Sequence, residues 1–272
     1  MSFDPRSIRK GIQLSPRKIL LYGDVKQGKS TLAGASPNCL LVPTEDRVAH
    51  INCEKTDVIT NYQEMIDIFK YLSEGSPYKT LVVDSLDWME VLLHAYVCEK
   101  KGFKSLTENT DANVNYGKGL KFFAVEAWRD FLFNCDYLRE TQKMSIVLVA
   151  HSQIEKISPP EVESFDRYAP KLDKNATAVI TEWTDIIAFL SREIIVKKEN
   201  VGFNKTKGKV VPIDNVRTLH MESTNPAWIS GNSFGLGTVE VKLEQVSEVM
   251  SYILTSNNLT EEKQKTKTKK GE

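Results

Sequence analysis

Two kinds of hydrophobic pattern alternate along the chain. Runs of consecutive apolar residues at 18–22, 39–43, 80–85, 145–150 and 186–190 have the length of strands and the continuity of strands buried on both faces. Between them, apolar residues recur every three or four positions, which predicts helices over 29–35, 61–74, 86–101, 117–143 and 175–184. In the second of these helices Met65, Ile66, Ile68, Phe69 and Leu72 share a side, and Gly75-Ser76-Pro77 stops it. Trp88, Val91, Leu92, Ala95 and Tyr96 are available for one face of the third. In the fourth, Phe122, Phe123, Val125, Trp128, Phe131, Leu132 and Leu138 mark a heavily buried face.

The remaining segments break these periods. Residues 103–116 are polar and rich in Asn and Thr, the composition of a long loop. Residues 154–175, with Pro159, Pro160 and Pro170, read as irregular. From 194 to 221 the pattern alternates and breaks around 202–208, which suggests antiparallel strands joined by a lysine-bearing turn. Residues 238–256 predict a last amphipathic helix. Residues 1–17 read as an N-terminal arm, 18–257 as one domain, and 258–272 as a disordered, Lys-rich tail too polar to pack. The expected fold is α/β: a mostly parallel central sheet flanked by helices, with a C-terminal antiparallel hairpin.

The first run opens into chemistry. Gly23-Asp24-Val25-Lys26-Gln27-Gly28-Lys29-Ser30, followed by Thr31, satisfies the G-x-x-x-x-G-K-[ST] spacing of a phosphate-binding loop. The two glycines let successive backbone N–H groups turn inward toward a polyphosphate, and Lys29 adds a positive charge at the β/γ end. Ser30 opens the following helix, with its hydroxyl available to Mg²⁺. The cofactors implied are ATP and Mg²⁺. The third run ends in Asp84, the form of a Walker B element, whose carboxylate is placed to hold the metal through water beside Ser30. A cap for the next helix is the other role open to it, one that Ser85 or Asp87 could equally serve.

Composition narrows the partners. The 272 residues are 41% hydrophobic, enough for a sizeable core, and 36 basic residues balance 36 acidic ones, so no global field attracts polyanions. Cys39, Cys53, Cys98 and Cys135 stand too far apart for a metal motif and read as buried, reduced thiols. No apolar run approaches the length of a membrane span, and the N-terminus lacks a signal-like apolar core, so the expected compartment is the cytoplasm.

Several landmarks fall at strand ends: the phosphate loop, Thr44-Glu45-Asp46, Val83-Asp84-Ser85 and Ala150-His151-Ser152. With Asp166-Arg167-Tyr168, Thr181-Glu182-Trp183-Thr184-Asp185 and Gly231-Asn232-Ser233-Phe234-Gly235-Leu236, they make the chain resemble the phage AAA-type ATPases with a RecA-like core. That family includes phage single-strand annealing recombinases, and the resemblance covers roughly residues 16–257. It implies a RecA-like P-loop ATPase in which Glu45 activates the attacking water, Lys29 stabilises the transferred phosphoryl and His151 senses the γ-phosphate. It also implies that residues 152–175 occupy the place of a DNA-binding loop, with Lys156, Arg167, Tyr168, Lys171 and Lys174 as contacts to single-stranded DNA. Against this, Glu155, Glu161, Glu163, Asp166 and Asp173 lie in the same segment.

Lys197, Lys198, Lys205, Lys207 and Lys209 form a second basic set, either DNA-facing or simply a soluble turn. The resemblance further implies a homo-oligomer, in the host cell's cytoplasm during infection, with Arg192 or Lys198 as a finger reaching a neighbouring subunit. A phage single-strand-binding or replication protein is a further expected partner. The competing reading is a nucleotide-dependent loader or assembly factor that binds a protein and no DNA. The chain departs from the family in carrying Asp24, Lys26 and Gln27 where small residues and an extra glycine are common, and Arg47 after the acidic pair.

Overall fold

The computed structural model describes residues 4–11, 15–108, 111–200 and 206–256, with the side chains of 193–216 outside that description. Strand β1 (Lys18–Gly23) lies between two parallel neighbours, β5 (Ser145–Ile157) and β7 (Ile186–Asn200). Beyond β5 the parallel sheet continues through β4 (Thr80–Asp84) and β2 (Cys39–Pro43) to the short β3 (Glu54–Lys55). Beyond β7 it turns antiparallel: β8 (Thr206–His220) pairs with β7, and β10 (Val239–Val241) with β8. Two short additions complete it, β6 (Phe165–Pro170) against the end of β5 and β9 (Gly231–Asn232) against the start of β7. This is the mostly parallel α/β sheet with an antiparallel hairpin expected from the pattern of apolar runs.

Alternation along β1 shows why its run is continuously apolar. Leu20 and Tyr22 face a core filled by α2 (Tyr62–Ser73), α3 (Leu86–Lys101), α4 (Val125–Thr141) and α5 (Lys174–Trp183), around the fully buried Trp128 and Phe131. Ile19 and Leu21 face the opposite core, where α1 (Lys29–Gly34) and α6 (Val246–Thr255) contribute Leu32, Val249, Met250 and Ile253. With helices on both faces, the strand is buried from Ile19 to Gly23. Asn61 caps α2 by accepting the N–H of Glu64 at 3.1 Å, and Gly102, at φ +72°, ends α3.

Several elements differ from the sequence expectation. Strand β5 runs on to Ile157 and forms a hairpin with β6, so much of the segment read as irregular is paired backbone. The helix expected over 175–184 is α5, which begins at Lys174 and is capped by Asp173, whose side chain accepts the Asn175 N–H at 2.9 Å. The buried stripe of α3 is Leu86, Met89, Leu93 and Val97, while Trp88 and Val91 are about half exposed. That helix carries two apolar stripes, and only its entry from β4 decides which meets the sheet.

Phe122 is exposed because residues Gly119–Ala124 form a π-helical turn before α4 begins. The loop 103–116 has its own small core, in which Leu106 and Val114 pack with Val97 and Ala124. Residues 239–241 belong to β10 rather than to the last helix, which begins at Val246: an open edge on β8 offers their backbone a better partner. Arg17, the last residue of the expected arm, is buried, with its guanidinium 3.2 Å from the Phe234 ring centroid. The four cysteines are free, Cys39 and Cys135 buried, Cys53 and Cys98 half-buried. Among the described residues no helix is long and apolar enough to cross a membrane. The tail at 258–272 lies outside the described residues.

Candidate nucleotide site

Parallel registry brings the strand ends together. Gly23 pairs with His151 on one side and Leu190 on the other, and Asp84 pairs with Pro43 and Val149. The chain segments leaving these strands therefore converge on one rim. A cavity of about 670 Å³ opens there, lined by residues from Val25 to Thr31 and by Glu45, Asp84, His151 and Arg217. The sequence brought forward all of these except Arg217.

The phosphate loop has the backbone its glycines permit. Gly28 adopts φ +91°, and a Cβ on Gly23 would lie 2.3 Å from the Leu190 carbonyl oxygen, so β1 can sit this close to β7 only with glycine there. Lys26 takes φ +59° without being glycine. Lys29 is buried, and its Nζ donates to the carbonyls of Gly23 at 3.0 Å and Asp24 at 2.9 Å. Burial lowers its pKa from the usual lysine range, against the pull of Asp84 and Asp87.

Glu45 is positioned by its neighbour. The Thr44 N–H donates to the Asp84 carbonyl at 2.8 Å, its hydroxyl donates to the Ser85 carbonyl at 2.8 Å, and that hydroxyl accepts the Ser85 N–H at 2.7 Å. The exits of β2 and β4 are thereby bound to one another, and Glu45 follows directly. Its carboxylate lies 3.9 Å from His151 Nε2 and 3.5 Å from Arg47 Nε. His151 Nδ1 is in turn 3.0 Å from both oxygens of Asp87. Although burial acts the other way, the His151 hydrogen bond holds the Asp87 carboxyl below its usual range.

The metal expectation fits the donors present. Asp84 is buried, with Oδ2 lacking a hydrogen-bond partner among the described residues. Burial raises its pKa, opposed by a hydrogen bond from Ser30 and the charge of Lys29. An orphaned carboxylate oxygen beside the phosphate-loop serine suits a hard divalent cation such as Mg²⁺.

The expected DNA contacts do not join this cavity. Lys156 is paired in register with Asp166, and Arg167 with Glu155, to which its Nε donates at 2.9 Å. Both hairpin cations thus face carboxylates. Tyr168 stacks on Phe189 with ring centroids 5.2 Å apart, while Lys171 and Lys174 are exposed. Lys197, Lys198, Lys207 and Lys209 stand on the paired backbone of β7 and β8, with their side chains outside the description, as is Lys205 altogether. Arg192 lies beside its own phosphate loop, with Nη2 3.4 Å from the Lys26 carbonyl.

Sequence reasoning left Thr44 without a role, considered Asp87 only as a cap and did not single out Arg217. Asp87 carries a local signal, one turn past Asp84 at the start of α3. Arg217 carries none, because only the β7–β8 pairing brings it to the loop.

A family model described as AAA domain matches residues 15–231. Among curated proteins, the SPbeta prophage-derived uncharacterized protein YorG of Bacillus subtilis (strain 168) is 22% identical over 197 residues, covering 70% of this chain and 55% of that protein. The chain therefore spans about half the length of this relative. Among solved structures, the RadB recombinase superposes with a TM-score of 0.43 at 10% identity, covering 84% of this chain and 87% of that one.

Proposed function

Because the chain belongs to the AAA domain family, we propose that it binds ATP with Mg²⁺ in this cavity and hydrolyses it, and that hydrolysis serves work on single-stranded DNA in phage recombination or replication. The single observation carrying the hydrolytic reading is Glu45. It is a largely shielded carboxylate, directly after the Thr44 that ties the exits of β2 and β4, in the lining of the cavity that Lys29 and Asp84 share, with His151 at 3.9 Å.

In this reading water attacks the γ-phosphorus, its proton passes to Glu45, and the bond to the β–γ bridging oxygen breaks, leaving ADP and phosphate. Lys29 exchanges the carbonyls of Gly23 and Asp24 for phosphate oxygens. Ser30 and Asp84 hold the metal, whose charge offsets that of the phosphates when bound. Glu45→Gln is expected to lower turnover by roughly 10²–10⁴-fold while ATP still binds; unchanged turnover removes Glu45 from the mechanism.

The DNA reading is supported by the β5–β6 hairpin, which continues the strand that carries His151 and exposes Ile154 and Tyr168. The pairing of its cations with carboxylates favours the second reading, an assembly factor whose nucleotide state controls a protein partner. ATP hydrolysis measured with and without single-stranded DNA at two salt concentrations separates them. Stimulation that weakens with salt supports DNA as the partner, and indifference to DNA would falsify it.

A further inference from the structure

Two arginines stand side by side over the phosphate loop of their own chain. Arg192 on β7 and Arg217 on β8 are directly paired in register, so their side chains leave the same face of the hairpin. Arg192 reaches the Lys26 carbonyl. Arg217 packs on Gly28, where an added Cβ would lie 3.4 Å from its Nε. Guanidinium groups from one strand pair therefore sit over the loop at Lys26 and at Gly28.

This pairing is unfavourable as it stands. Like charges directly opposite one another on neighbouring strands repel. Arg217 is only 7% exposed, and its Nε and Nη1 have no hydrogen-bond partner among the described residues. Burial, and next the charge of Arg192, lower its pKa from the usual arginine range. Buried donors of this kind are expensive unless a partner arrives. Arg217 lines the same cavity as Lys29 and Ser30.

We propose that Arg192 and Arg217 are a clamp, supplied by the same chain, that binds the polyphosphate of ATP across the phosphate loop from the wall opposite Glu45 and His151. The proposal rests on the nucleotide reading above. It differs from the expected finger in direction: Arg192 serves its own site rather than a neighbour's. The anion relieves the repulsion between the two guanidiniums and satisfies the buried donors of Arg217. Fork geometry suits this task, because a guanidinium offers a phosphate two parallel N–H groups where an ammonium offers a point charge.

The test is equilibrium binding of a fluorescent ATP analogue with Mg²⁺ to the full chain, with thermal melting run with and without ATP. Wild type, Lys29→Ala, Arg192→Gln, Arg217→Gln and Arg217→Lys are compared. Arg192→Gln and Arg217→Gln are each expected to weaken binding by about 10- to 100-fold, with Arg217→Lys recovering only part. Without nucleotide, Arg217→Gln is expected to melt no lower than wild type, since it removes a repulsion, and to lose the rise in melting temperature that ATP gives wild type. A structural arginine predicts the reverse pattern.

Wild-type binding that Lys29→Ala abolishes, together with unchanged affinity in both glutamine variants, overturns the clamp alone. Wild type that binds no ATP overturns the nucleotide reading itself. Arg192→Gln, at an exposed position, keeps the test open should Arg217→Gln not fold. Affinity that rises with protein concentration in wild type but not in Arg192→Gln places the arginine in a neighbouring subunit's site and overturns the same-chain assignment.

Discussion

Both carboxylate oxygens of Asp87 lie 3.0 Å from Nδ1 of His151, and the imidazole is thereby turned with Nε2 toward Glu45. An ionised carboxylate only accepts hydrogen bonds, so it selects a ring with a proton on Nδ1. Asparagine offers either a donor or an acceptor and makes no such selection. Asp87→Asn is therefore expected to lower ATP turnover by about 10- to 100-fold and leave ATP affinity within about threefold. Single-turnover hydrolysis and equilibrium binding check the two halves; an equal loss in both assigns Asp87 to binding.

Tyr22 ties the phosphate-loop strand to distant chain. Its fully buried hydroxyl donates to the Ile229 carbonyl at 2.7 Å and accepts the Ile229 N–H at 2.8 Å, with the Tyr168 carbonyl 3.2 Å away. Tyr22→Phe takes the donor from the Ile229 carbonyl, while the Ile229 N–H keeps the Tyr168 carbonyl at 3.2 Å, at an expected cost of about 1–3 kcal/mol in urea unfolding. No change in midpoint shows that another donor or acceptor replaces the hydroxyl.

Glu90 predicts a pH dependence of stability. Its carboxylate accepts the Asp173 N–H at 3.1 Å, linking α3 to the start of α5, and burial pushes its pKa up to about 7 against that hydrogen bond. The folded chain thus keeps a proton that the unfolded chain releases near the ordinary value of 4.5. This group's contribution is full below about pH 4.5 and is lost as pH rises through about 7. Glu90→Gln keeps the neutral form at every pH. The variant is expected to match wild type at pH 4.5 and exceed it at pH 8 by on the order of 2 kcal/mol. Denaturant curves at both pH values test this, and a constant difference rules out the titration of Glu90.

The phosphate loop gives two opposite backbone outcomes. Lys26 occupies the left-handed region, which costs a residue with a Cβ about 1–2 kcal/mol, so Lys26→Gly trades that relief against a more flexible unfolded chain. Its net effect on stability is expected within about 1 kcal/mol. Gly23→Ala instead drives a methyl into the Leu190 carbonyl and is expected to destabilise by about 1–3 kcal/mol or more as β1 and β7 separate. Equal melting temperatures for the two variants contradict this account.

What the sequence determined by itself is local. The G-x-x-x-x-G-K-[ST] spacing, the five apolar runs and the acidic residues at their ends are contiguous patterns, and parallel strands in register place such ends on one rim. Lys29, Ser30, Glu45, Asp84 and His151 meet there for that reason. What tertiary structure decided depends on pairing between distant segments. The buried face of α3 is chosen by how β4 delivers it, and residues 239–241 become strand because β8 presents an unpaired edge. Arg217 reaches Gly28 only because β8 returns antiparallel along β7. No spacing within the chain encodes that approach: it exists only once the hairpin has closed against the sheet and set two arginines beside one phosphate loop.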